Sequence, residues 1–265
     1  MSTDILSRIV QTKIAEVADA RKKISEMKLR KQAEQRKEFR PFFQRLAKPG
    51  PSGVNIIAEI KRASPSKGLI SPDLNPAMYA QKYERGGAAA LSVLTDTQYF
   101  QGSFADFKAA RQACQLPMLR KDFLISPYQI YESVFLGADA ILLIVRILEP
   151  EQLKEYLQLA GELHLDVLTE VHSESELEIA DKAGAKLVGV NNRNLKSFET
   201  DISRAAAMVS RFSENQVPVA ESGIHTREDI VMLQKAGIFN FLIGESLVRS
   251  PDPQTFLKTL MGVQK

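Results

Sequence analysis

The 265-residue sequence predicts an α/β protein, a (β/α)8 TIM barrel with an N-terminal helical extension. Three observations predict it. Eight short apolar runs recur at intervals of roughly 20 to 35 residues, the length of a strand, a loop and a helix. Amphipathic stretches fill the intervals. A weak internal repeat joins them: GGAAALSVL, LGADAILLI, AGAKLVGV and AGIFNFLIG each end a helix in glycine and enter a strand. A glycine stop followed by a small residue suits a tight helix-to-strand loop. An open doubly wound sheet is the runner-up arrangement of such units. Eight units without a long composition break favour a closed parallel barrel.

In chain order, residues 1–48 precede the first run. They read as helical, with ILSRIVQTKIAEV early and the Pro- and Gly-rich AKPGPSGV late. We expect this extension to pack on the barrel rather than form a separate domain. Residues 49–265 are expected to be one catalytic barrel domain. The strand-like runs are NIIAEI (55–60), AALSVLT (89–95), PMLRKDF (117–123), AILLIV (140–145), DVLTEV (166–171), LVGVNN (187–192), VPVAES (217–222) and FNFLIG (239–244). Among the helical stretches, PYQIYESVFLGA sets Ile130, Val134 and Phe135 on one side, and EPEQLKEYLQLAGEL does so with Leu153, Tyr156, Leu157 and Ala160. Ser173 with Glu176 three residues on reads as a capping box. HTREDIVMLQKAG closes on a helix-stopping glycine.

Composition narrows the class. Hydrophobic residues make up 44% and charged residues 25%, which is ordinary globular usage. No apolar run approaches the roughly 20 residues a membrane span needs. MSTDILSRIV lacks the basic start and apolar core of a secretory leader. Cys114, the one cysteine, excludes an internal disulfide and reads as a small core residue. A reducing, cytoplasmic setting is the resulting expectation. Net charge is only +3, and the basic stretch at 21–40 reads as a solvated helix face with no nucleic-acid motif to support it.

Chemistry concentrates at the ends of the runs, where barrel active sites gather. The first run carries Glu59 and Lys61, two apart and so on one face. The third ends at Lys121, the fifth at Glu170, the sixth at Asn191 followed by Arg193, and the seventh at Glu221 and Ser222. Any one of these alone reads as a side chain reaching solvent. Together they would converge on one mouth, where buried charges are costly unless paired or used. A lysine among carboxylates stays protonated and can donate a proton. Lys61 or Arg193 can hold a carboxylate or phosphate. His172, two residues past Glu170, reads as a loop histidine; His164 and His225 read as helix-end residues. With three histidines and one cysteine, no metal site is expected.

AESGI and LIGESL place Ser222, Gly223, Gly244, Glu245 and Ser246 after the seventh and eighth runs. Loops at those positions bind phosphate in many barrels. Glycine admits close approach by backbone N–H groups, and serine adds a donor. Glu245 is an acidic intruder whose side chain must point away from any phosphate. The SPSKG loop, with Ser64, Ser66 and Lys67, is a further source of phosphate contacts or a mobile lid.

The strings EIKRASPSKG, SVLTDTQYFQGS, LRKDF, SPYQIYESVFLGADAILLI, LTEVH, GVNNRNL, ESGI and FLIGESL resemble indole-3-glycerol-phosphate synthase of tryptophan biosynthesis, in order and over nearly the whole chain. The resemblance implies ring closure, decarboxylation and dehydration of 1-(2-carboxyphenylamino)-1-deoxyribulose 5-phosphate to indole-3-glycerol phosphate. It implies no metal and no organic cofactor. It marks Lys121 as general acid, Glu170 as acid/base partner in dehydration, and Lys61 as the lysine that contacts the substrate carboxylate. Glu59 and Glu221 are marked as orienting carboxylates, Asn191 as a substrate-orienting amide and Arg193 as a substrate or phosphate contact. Ser64, Ser222, Gly223, Gly244 and Ser246 match phosphate positions. Phe100, Phe123 and Leu142 are candidates for the apolar wall against the anthranilate ring. The GES string departs from the family's small residue before serine, and Asn192 fits its variation. The implied partner is a phosphorylated small molecule, not nucleic acid or membrane. The expected assembly is a monomer or weak homodimer, with other tryptophan-pathway enzymes admitted as partners. Competing readings are another phosphate-binding barrel enzyme, such as a sugar-phosphate isomerase or aldolase-like lyase, and a non-catalytic barrel in a pathway complex.

Overall fold

Every one of the eight apolar runs is a strand in the computed structural model, which describes residues 5–194 and 198–263. Met1–Asp4 and Leu195 of GVNNRNL lie outside the described residues. The strands are β1 (Asn55–Ile60), β2 (Ala90–Leu94), β3 (Met118–Lys121), β4 (Ala140–Ile144), β5 (Asp166–Val171), β6 (Leu187–Asn191), β7 (Val217–Glu221) and β8 (Asn240–Ile243). Each pairs in parallel with its sequence neighbour, and β1 closes on β8 through Asn55 opposite Asn240. Asn55 Nδ2 donates to Asn240 Oδ1 at 2.9 Å, so side chains reinforce the backbone ladder at the seam. The arrangement is a closed (β/α)8 barrel, not the open sheet.

Alternation along the strands sorts the core into two layers. Ile57, Leu119, Leu142, Leu168, Leu187, Val219 and Leu242 fill the barrel interior. Ile56, Ala58, Leu91, Ile141, Val188 and Phe241 face the surrounding helices. Four of those helices stop where the repeat places them. Gly87, Gly137, Gly184 and Gly237 have φ of 90°, 88°, 86° and 96°, a left-handed turn that a β-carbon would strain.

Among the described residues the extension holds three helices: α1 (Ile5–Lys23), α2 (Glu26–Ala33) and α3 (Phe42–Leu46). They serve different ends of the barrel. Leu6 and Ile9 of α1 join the interior core from the side of the mouth. Phe42 and Leu46 of α3 join it from the opposite end, where the Phe43 N–H donates to Asp166 at the start of β5.

Local expectations meet two corrections. Helix α4 (Pro127–Leu136) buries Ile130 and Val134 but leaves Phe135 half exposed. One residue past an i, i+4 pair is a further 100° around the helix, which carries Phe135 off the apolar face. The capping box at α5 (Glu174–Ala183) forms by half: Ser173 accepts from the Glu176 N–H, but the Glu176 carboxylate accepts from the His172 N–H instead. The SPSKG loop contains a two-residue antiparallel hairpin, Ala63–Ser64 against Gly68–Leu69.

Asp139, 1% exposed, ties the closed end together. It accepts from Arg111, from Arg36, and from the backbone N–H groups of Arg40 and Met118. Removing it strands buried guanidinium groups without a counter-charge. Asp139→Ala is expected to cost about 3 to 5 kcal/mol in chemical or thermal unfolding; a loss below about 1 kcal/mol would show that the arginines re-solvate freely.

Candidate active site

At the C-terminal mouth of the barrel the strand-end groups converge. Lys121 Nζ lies 2.6 Å from Glu221 Oε2 and 3.3 Å from Glu170 Oε2. Asn191 Nδ2 donates to the other Glu170 oxygen at 3.1 Å. Across the mouth Lys61 Nζ lies 2.6 Å from Glu59 Oε1. These side chains come from β1, β3, β5, β6 and β7 or the residue just beyond, and all six line one cavity of about 150 Å³. Ser64, Arg193 and Ser222 line it as well, and Phe100, Phe123 and Leu142 supply apolar wall.

Burial and pairing act against each other on the titrating groups. Burial pulls the Lys121 ammonium down, but Glu221, Glu170 and Glu59 outweigh it and hold its pKa above the ordinary lysine value. Burial pushes the Glu221 carboxyl up to about 7; Lys121 opposes this, while Glu170 and Glu59 add to it. Burial works the same way on Glu170, yet Lys121, His172 and the Asn191 amide bring its pKa below the usual value. The site thus holds one firm acid, one firm base and one carboxyl that titrates near neutrality.

Two glycines make room for this cluster. A β-carbon on Gly189 would overlap Glu221 Oε1, and one on Gly244 would stand 2.5 Å from Glu59 Oε1. Gly189 lies in β6 opposite Glu170 of β5 and opposite Val219 of β7, two residues before Glu221.

A second cavity of about 40 Å³ continues from the first. Lys61, Arg193, Ser222, Gly223, Gly244 and Ser246 line it. Ser222 and Gly223 both turn left-handed, at φ 67° and 76°, and Asn192 Nδ2 holds the Ser222 carbonyl at 3.2 Å. The Ser246 hydroxyl lies 2.8 Å from His225 Nδ1. Glu245 lines this cavity too, and its carboxylate is drawn aside toward Arg249 at 3.2 Å and Arg193 at 3.7 Å.

The family's sequence model for indole-3-glycerol phosphate synthase matches residues 6–260. Relatives bearing that name include one from Desulfosudis oleivorans, 56% identical over 97% of this chain and 98% of its own, and one from Syntrophobacter fumaroxidans, 50% identical over 98% of each. The chain belongs to the indole-3-glycerol phosphate synthase family. Its enzymes are carboxy-lyases of tryptophan biosynthesis acting on a phosphorylated small molecule. Two solved structures share the fold alone. One is 3-hexulose-6-phosphate synthase from Salmonella typhimurium, with TM-score 0.63 and 11% identity over 79% of this chain and 97% of that one. The other is thiamine phosphate pyrophosphorylase from Pyrococcus furiosus, with TM-score 0.59 and 14% identity over 79% and 95%. Among the described residues, no helix is long and apolar enough to cross a membrane.

Within this synthase-family site, some residues escaped the sequence reading. His172 is not a plain loop histidine: it is buried, with Nε2 3.4 Å from Glu170 and Nδ1 3.5 Å from Glu176. Ile5, Leu6 and Ile9 of α1 line the main cavity, and Ser66 Oγ accepts from Arg193 Nη1 at 2.8 Å. The α1 contribution had a signal, since Ile5, Ile9 and Lys13 repeat at i, i+4, i+8 on one helix face.

Gly189→Ala should displace the Glu221 carboxylate and lower kcat/KM by about 10- to 100-fold, the cost of roughly an ångström of misplacement. Steady-state kinetics beside thermal unfolding checks it; a stability loss with wild-type kinetics would mean the carboxylate simply moves over.

Proposed function

We propose that this cavity closes the indole ring of 1-(2-carboxyphenylamino)-1-deoxyribulose 5-phosphate, with Lys121 as general acid. The observation that carries the reading is the Lys121 ammonium seated between Glu221 and Glu170, with an apolar wall on one side and the serine- and glycine-lined cavity on the other. In this reading the anthranilate ring rests against Phe100, Phe123 and Leu142. The phosphate enters the small cavity, held by Arg193, Ser222, Gly223, Gly244 and Ser246, with Ser64 on the adjoining wall of the main cavity. Glu245 contributes its backbone rather than its carboxylate, which is engaged with arginines.

The roles follow from charge. As the ring carbon bonds to the carbonyl carbon, electrons move to the carbonyl oxygen, and Lys121 gives that oxygen a proton. Lys61 holds the substrate carboxylate until carbon dioxide leaves, which returns the bonding pair to the ring. Loss of the new hydroxyl as water then needs one proton delivered and one removed. Glu170, held ionised, is the group suited to the removal; Asn191 orients it, and Glu59 orients Lys61. Glu221 holds Lys121 in place.

The same reading takes residues 49–265 as the single catalytic domain, with residues 1–48 packed upon it. A cytoplasmic setting fits the biosynthetic role and the lone buried cysteine. A monomer or weak homodimer, with or without other tryptophan-pathway enzymes, completes it.

Lys121→Ala should lower turnover by about 10²- to 10⁴-fold, the span of a general acid's contribution. Fluorescence of the indole product formed from the aminodeoxyribulose phosphate measures it, and near-normal turnover would remove Lys121 from the role. The pH profile gives a second check. Below pH 7 Glu221 is neutral and holds Lys121 more weakly, so kcat/KM should rise with pH through an inflection near 7 that belongs to the carboxylate cluster. Glu221→Gln should lower activity and erase that inflection; an unchanged acid limb would assign it to another group.

A further inference from the structure

A second cluster of buried charge lies beside the catalytic one, and the chemistry above makes no use of it. Its centre is Lys13 of α1, 2% exposed. Lys13 Nζ lies 2.7 Å from Asp96 Oδ2, 2.9 Å from Asp122 Oδ1 and 2.8 Å from Glu16 Oε2. The two aspartates belong to different loops, those leaving β2 and β3. Burial opposes the charge on Lys13, and Asp122 and Asp96 more than offset it. Burial alone would raise the Asp122 carboxyl, but Arg120 and Lys13 hold it down to about 2. Lys13 and Asp122 are therefore ionised over the working pH range.

What these aspartates do with their remaining valence links them to the cavity. Asp96 Oδ1 accepts from the backbone N–H of Tyr99 at 2.7 Å and of Phe100 at 3.0 Å. Asp122 Oδ1 accepts from the backbone N–H of Phe123 at 2.9 Å. Phe100 and Phe123 are two aromatic rings of the cavity wall, 5.9 Å apart between centroids. One turn before Lys13 on the same helix face, Ile9 lines that cavity, and Ile5 and Leu6 line it beyond. One ammonium group thus joins three pieces of wall: the α1 stripe, the Phe100 loop and the Phe123 loop.

We propose that Lys13 is a positioning residue for aryl recognition, setting the gap between α1 and the Phe100–Phe123 pair. The inference rests on the reading that the aromatic end of the substrate lies against that wall. It gives the tie a consequence that a merely structural salt bridge lacks, because the phosphate cavity shares none of its groups. Affinity for an aromatic carboxylate should depend on Lys13, while affinity for phosphate should not.

The test uses the full chain and two probes, anthranilate and inorganic phosphate, each as inhibitor and by direct binding. For Lys13→Met, KM and the anthranilate dissociation constant should rise about tenfold, with kcat and phosphate binding changed by less than about threefold. Lys13→Met leaves Asp96 and Asp122 short of a counter-charge, so Lys13→Met/Asp96→Asn is measured beside it. Asn keeps the Oδ1 acceptor for the Phe100 loop and removes the excess charge; it should recover thermal stability but not anthranilate affinity. Wild-type anthranilate affinity in either variant overturns the proposal. So does an equal loss for phosphate and anthranilate, which would mean general loosening of the mouth. A wild-type protein that binds anthranilate but forms no indole product would sink the proposed reaction and leave Lys13's role standing.

Discussion

Charge balance inside a nearly dry barrel mouth is the constraint on which the rest of this structure depends. Glu59, Glu170 and Glu221 are all at or below 5% exposure. Three carboxylates at such depth each cost several kcal/mol in lost hydration unless cations stand among them. Lys61 and Lys121 are those cations. Their number leaves one negative charge in excess, and the hydrogen-bond pattern decides which carboxyl yields. Glu170 Oε1 has the Asn191 amide and the edge of His172, whereas Glu221 Oε1 has no hydrogen-bond partner. The less supported carboxyl is the one pushed up toward neutrality. Two groups of one chemical type in one pocket thereby receive opposite shifts, which separates a base from a titrating group.

The pleat of β3 keeps this balance apart from its neighbour. Arg120, Lys121 and Asp122 are consecutive, so Lys121 points into the barrel while the residues on either side point to the helices. Arg120 Nη2 meets Asp122 Oδ2 at 3.1 Å on that outer side. Two buried ionic networks therefore lie back to back across one strand. The outer one fixes the backbone on both sides of Lys121, and its Asp122 also borders the cavity. A lysine whose main chain is gripped on two flanks loses little freedom when it binds substrate, which is the physical content of preorganisation.

The barrel itself was legible because its evidence is repeated. Eight apolar runs and four glycine-stopped helices are each weak, but they agree, and agreement across levels is what specifies a fold. The inward strand-end groups were legible for the same reason: Glu59, Lys121, Glu170, Asn191 and Glu221 each interrupt an apolar run at its last turn of pleat. Residues whose importance comes from distant partners were not. Lys13 looks like one more base in a charged helix until Asp96 and Asp122, more than 80 positions away, are brought to it. His172 looks like a loop residue until β5 and α5 enclose it. Gly189 carries no chemistry, and only the side-by-side placement of β5, β6 and β7 reveals that its missing side chain is the space Glu221 occupies. Phe135 failed in the other direction, since a small error in helical phase moves a residue from core to solvent.

The extension has to be judged against the geometry of a closed barrel. Eight strands shut the sides but leave both ends of the interior open, and the inward side chains at each end need a cover. At the far end, α3 plugs the opening with Phe42 and Leu46, and Asp139 with its arginines locks the surrounding strands. That end contributes rigidity. At the mouth a tight plug would exclude substrate, so α1 lies along one side and offers Ile5, Leu6 and Ile9 as wall. A helix held there by apolar contact alone would trade its place with water each time the cavity empties. An ionic tie at the rim, buried away from salt and solvent, holds the wall whether or not a ligand fills the space. On this view the charged residue on the apolar stripe of α1 is what allows a hydrophobic wall to border a cavity that must open.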